Sequence, residues 1–82
     1  MKNLHKEIIY SYLVLGWSHR TIEINILKID SPVRGGGFEA MKVLHSYDIK
    51  GDKKGILKGK DYKDELNNAK GNYRIAIELL LS

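Results

Sequence analysis

Cysteine is missing from the 82 residues, so neither a disulfide framework nor a thiolate zinc site can hold the chain together. Long apolar runs are missing as well. The longest, Leu13 to Gly16, is far shorter than a secretory core or a membrane span requires, and neither end carries a lipidation motif. These absences fit a cytoplasmic chain with no membrane partner. Proline occurs once, at Pro32. The chain is also short, and a domain of this size buries only about 60% of the surface its unfolded form exposes. So thin a core argues against a complete enzyme with its own substrate pocket. The expectation is a single domain over residues 1–82 with no catalytic activity, no metal and no cofactor.

What the sequence does have is helical periodicity. Leu4, Ile8, Tyr12 and Leu15 share one face, with Asn3 as a cap and Gly16 as a terminator, which predicts a helix over 4–15. Residues 18–29, SHRTIEINILKI, carry two periods at once. Ile22, Ile24 and Ile26 alternate as in a strand, whereas Ile22, Ile26 and Ile29 form a helical stripe. Ser18 as a cap and Asp30-Ser31-Pro32 as a stop favour the helix, which is the reading adopted, with the strand as its alternative. A third helix over 36–47 is predicted from Phe38, Ala40, Met41, Leu44 and Tyr47. Residues 48–60 contain the turn pairs Gly51-Asp52 and Lys54-Gly55 between the apolar pieces at Ile49 and Ile56-Leu57, which reads as a short β-hairpin or an extended basic loop. Residues 61–81 read as helix in two parts, capped by Asp61 and interrupted at Gly71-Asn72.

The net charge of +4 is unevenly spread. Seven lysines and three acids lie between Lys42 and Lys63, so this stretch alone carries an excess equal to that of the whole chain. A local basic excess suits a polyanion such as DNA or RNA. Just before it stand three consecutive glycines, Gly35–Gly37, behind Arg34. Their sequence, GGGFEAMK, matches neither dinucleotide-binding nor P-loop spacing. A nucleotide site would also need a parallel sheet, for which there is no room unless residues 20–30 form a strand.

The order helix, helix, tight turn, helix, hairpin resembles the winged helix-turn-helix family of DNA-binding domains. The resemblance spans residues 4–60. The stretch from His19 to Leu44, HRTIEINILKIDSPVRGGGFEAMKVL, looks like the motif itself, with Phe38 to Tyr47 as the recognition helix and GDKKG as the tip of the wing. More loosely, residues 15–45 are similar to the DNA-reading modules found beside restriction-type nucleases. That would imply recognition without cleavage by this chain. The fold expected is therefore mainly α: a three-helix core, a short β-hairpin wing and a C-terminal helix. The resemblance implies phosphate contacts from Arg34 and the amides of Gly35, Gly36 and Gly37 at a helix start, and places His19 and Arg20 among the DNA-binding residues. It implies base-edge contacts from Lys42 and His45, and backbone or minor-groove contacts from Lys50, Lys53, Lys54 and Lys58.

Catalytic groupings are weak. His5, His19 and His45 lack metal-ligand spacing. Ser11, Ser18 and Ser31 have no base assigned to them. Asp61, Asp64 and Glu65 sit where acids suit the start of a helix. The partner expected is double-stranded DNA, with a second copy of the chain or a nuclease partner or domain beside it. The alternative is a protein-interaction module, or a small regulator of the phage or toxin–antitoxin type, docking through Ile75, Leu79, Leu80 and Leu81.

Overall fold

The computed structural model describes residues 2–28 and 37–82. Five α-helices make up most of these residues: α1 (Lys2–Leu13), α2 (His19–Ile22), α3 (Phe38–Ser46), α4 (Tyr62–Leu66) and α5 (Asn72–Leu81). A π-turn over Glu23–Leu27 extends α2 without a break. The helical reading of residues 18–29 therefore holds over its described part, and the strand alternative does not. The nucleotide-loop reading depended on that strand and falls with it. The expected turn at Asp30-Ser31-Pro32 lies outside the described residues.

The core runs along one side of α1. Ile8, Ile9, Tyr12 and Leu13 are buried against Ile22 of α2, Ala40 and Leu44 of α3, and Tyr73, Ala76 and Ile77 of α5. The buried stripe is rotated from the one expected. Leu4 and Leu15 at its predicted ends are exposed, as is Phe38 at the start of α3. Helix α1 also ends two residues early, at Leu13, and Asn3 lies inside it rather than capping it.

The hairpin wing is absent: the described residues contain no strand. Residues 51–60 instead form a 3-10 turn, Gly51–Lys53, followed by further tight turns. Two physical demands account for this. Ile49 and Leu57 are fully buried in the core, which ties the segment down at both ends. In addition, its amides answer the open carbonyls at the end of α1. Gly55 N–H donates to the Tyr12 carbonyl at 2.8 Å, and Leu57 N–H to the Leu13 carbonyl at 2.9 Å. The Ser11 carbonyl is taken by Trp17 N–H at 3.0 Å. A hairpin would have paired these amides with carbonyls of its own opposite strand and left the helix end unsatisfied. The mainly-α part of the expectation stands, and the wing is replaced by a clamp on α1.

The C-terminal part is helical in two pieces, as the sequence indicates. The Asp61 carboxylate caps α4 by accepting from Lys63 N–H at 2.9 Å. Lys6 of α1 donates to the Ser82 carbonyl at 2.8 Å, placing a cation at the negative end of α5. Among the described residues no helix is long and apolar enough to cross a membrane.

Candidate nucleic-acid interface

The meeting of α2 and α3 is built around one buried acid. Ser18 starts α2, its hydroxyl accepting from Thr21 N–H at 3.2 Å. After Ile22 the helix widens, and Lys28, left-handed at φ 61°, closes the π-turn by donating its N–H to the Glu23 carbonyl. The Thr21 carbonyl accepts from the side-chain amide of Asn25 at 2.9 Å. The widening sets the phase of the turn: Ile24 faces solvent, and Glu23, only 5% exposed, faces α3.

Glu23 fills the N-terminus of α3. Its Oε1 accepts from Gly37 N–H at 2.6 Å and its Oε2 from Glu39 N–H at 2.9 Å. Burial pushes its pKa up, but the amides of Gly37, Glu39 and Ala40 and the charge of Arg20 outweigh burial and hold it below the usual carboxylate range. Free amides at a helix start attract anions. Here an anion from the same chain already occupies that position, so the Gly37 amide is committed internally. Arg34, Gly35 and Gly36, the other members of the expected phosphate cradle, lie outside the described residues. Gly37 has its own structural reason to be glycine. Its φ is +88°, and a Cβ there would stand 2.9 Å from the Cβ of His19. The close approach is between α2 and α3.

Two of the expected contact residues, His45 and Lys54, lie within electrostatic reach of a third, His19. The His19 ring stacks on Tyr12 of α1, with centroids 5.0 Å apart and planes 4° from parallel. Burial lowers the His19 pKa, and the positive charges of His45 and Lys54 lower it further, against a smaller opposing pull from Glu23. His19 comes from α2, His45 from the last turn of α3, and Lys54 from the turn segment, next to the Gly55 amide that clamps Tyr12. Arg20, His45 and Lys54 are exposed.

The remaining lysines divide. Lys42 is exposed and lies 3.5 Å from Glu39, an exposed pair of small energetic weight. Lys53 turns inward, 3.8 Å from Asp52 and 5.0 Å above the ring of Tyr73. Lys50 and Lys58 are exposed and form no ion pair among the described residues.

No family model, curated protein or solved structure matches the chain.

The catalytic candidates are spread out. His5 Nδ1 and the Tyr47 hydroxyl are 2.8 Å apart, Ser18 and Asp61 cap helices, and Ser11 is buried. No group of three or more His, Asp or Glu side chains able to hold a metal occurs among the described residues. An open groove of about 740 Å³, lined by Lys6, Glu7, Tyr10, Tyr62 and Leu80, lies on the α1–α5 side. The sequence reading missed both this groove and the capping role of Glu23. Tyr10 on the polar side of α1 hinted at the groove. Nothing in the sequence pointed to Glu23, whose partner amides lie fourteen or more positions away.

Proposed function

We propose that the chain is a non-catalytic, cytoplasmic module that binds double-stranded DNA through one face, made by α2, α3 and the 50–58 turn. The observation that carries this reading is the exposure of Arg20 on α2, His45 on α3 and Lys50, Lys54 and Lys58 on the turn segment, with His45 and Lys54 within electrostatic reach of His19. Of the seven lysines from Lys42 to Lys63, five (Lys42, Lys50, Lys53, Lys54 and Lys58) lie in two of the elements that supply the face. A helix pair followed by a basic segment is also what a helix-turn-helix reader would use. Without a wing, the basic segment contributes from a turn seated on α1.

The test is a gel-shift titration of a duplex over a salt series. Phosphate neutralisation predicts that log affinity falls linearly with log salt, by about 0.9 for each phosphate contact. Arg20→Ala, Lys50→Ala and Lys54→Ala together should weaken binding and flatten that slope. Absence of binding at low salt overturns the proposal, and full affinity in the triple variant relocates the surface.

The second reading, a protein-interaction module, draws on the groove at Tyr10, Tyr62 and Leu80 and on exposed Ile75 and Leu81. Leu79 and Leu80 pack against the core, so the C-terminal stripe named in the sequence is only half available.

A further inference from the structure

We infer that Phe38 enters the major groove and reads the 5-methyl group of thymine when the chain binds DNA. This rests on the DNA-binding reading and adds to it a specificity-determining residue that carries no charge. The outer face of α3 supplies the geometry. Phe38, Lys42 and His45 stand at i, i+4 and i+7 of one helix and are all exposed, so they form a single stripe along it. Ala40 and Leu44 turn the opposite side of the helix into the core. The stripe is about 10 Å long, which matches the rise of about three base pairs. Phe38 stands at its leading end and, at 56% exposure, is the most exposed large apolar side chain among the described residues.

The ring is exposed, but the backbone that carries it is fixed. Phe38 lies between the two residues whose amides Glu23 holds. Gly37 N–H and Glu39 N–H donate to that buried carboxylate at 2.6 and 2.9 Å. The chain on either side of Phe38 is thus tied to α2, and the ring projects from an anchored point. An aromatic side chain with two torsions loses little freedom on contact. In the major groove the thymine methyl is an apolar feature of the base edge, and an apolar side chain is its match. Lys42 and His45 follow at successive turns with N–H donors for base-edge acceptors. Glu39, an acid beside the stripe, is paired with Lys42 at 3.5 Å, which offsets its charge. Lysine has three donors, so this pair does not exhaust Lys42. Phosphate contacts fall to the exposed cations of the flanking elements, Arg20, Lys50, Lys54 and Lys58. Charge thus brings the duplex, and Phe38 discriminates within it.

The measurement compares binding of the full chain to an alternating adenine–thymine duplex and to the same duplex with uracil in place of thymine, by fluorescence anisotropy over a salt series. The two duplexes differ only in the 5-methyl groups. Affinity should be about fourfold weaker for the uracil duplex for each methyl in contact. Phe38→Ala should bind both duplexes alike and keep the salt slope of the parent, because no phosphate contact is lost. Its urea midpoint should match that of the parent, since the ring is exposed. The comparison of the two duplexes by the unaltered chain holds whether or not the variant folds. Equal affinity of the parent for both, or a methyl preference that survives Phe38→Ala, would overturn the role of Phe38 and leave DNA binding standing. Failure to bind either duplex in low salt would remove both.

Discussion

Glu23 and Gly37 are joined across fourteen positions by a 2.6 Å hydrogen bond from a backbone amide to a buried carboxylate. That bond does two things. It supplies the helix cap that Gly37, having no side chain, cannot provide, and it fixes the π-turn against the first turn of α3. An unpaired carboxylate at such a burial would be costly, and amides at a buried helix start would be equally so. Each satisfies the other.

Glu23→Gln keeps an acceptor but removes the charge that three amides and Arg20 favour. It should cost about 1.5–3 kcal/mol by urea unfolding. The acid limb provides a separate check. The folded pKa of Glu23 is depressed, so its contribution to stability is complete above the unfolded value of about 4.3 and fades as pH falls through the folded one. The unfolding midpoint of the parent should therefore drop more steeply than that of Glu23→Gln below about pH 4.3. Parallel curves would show that the charge does not hold the cap.

His19 titrates at higher pH. Its folded pKa lies below the ordinary value, so the native state binds protons less readily than the unfolded chain. The stability this confers is full above about pH 6.5 and is lost as pH falls towards the folded pKa. His19→Gln should flatten the thermal midpoint between pH 7 and pH 5.5. A midpoint as pH-sensitive as that of the parent would assign the effect to another group.

Leu57 and Lys58 are adjacent, yet they should behave very differently. Leu57 is fully buried, so Leu57→Ala should cost about 2–5 kcal/mol. Lys58 is exposed, and Lys58→Ala should stay within about 0.5 kcal/mol. Paired unfolding measurements would distinguish this seated turn from a projecting wing, in which both changes would be mild.

Gly71 precedes α5 at φ +62°, and a Cβ there would run into the carboxylate of Asp48. Gly71→Ala should therefore lose about 1–3 kcal/mol from backbone strain, with the clash added. Asp48 has a left-handed backbone of its own, at φ 59°. Asp48→Gly placed on top of Gly71→Ala should recover part of the loss by removing the clash and relaxing that residue. If the two changes add independently, the contact is not the cause.

The helices are legible because their signals are local. Ser18 and Asp61 cap where expected, Gly71 interrupts the last segment, and Ile22 and Ile26 face inward as a helical stripe requires. Residues 48–60 mislead for a complementary reason. Their turn pairs fit a hairpin, but the carbonyls of Tyr12 and Leu13, more than forty residues upstream, claim the amides. Site residues divide in the same way. Charge density points to the turn segment, but no pattern shows that Lys53 lies over Tyr73 or that Glu23 takes the Gly37 amide.

The wide turn at Glu23–Leu27 also sets a rotational phase. A turn closed over five residues rather than four holds one more residue between its ends. A residue of regular α-helix advances the side chains by about 100°. Excising a single codon, that of exposed Asn25, would let the segment relax into an ordinary helix with Leu27 four positions from Ile22 and still on its face. Ile22 and Leu27, five positions apart, pack against the core together because the turn between them is wide. The wide turn thus takes in one extra residue without turning the core positions on either side of it out of register.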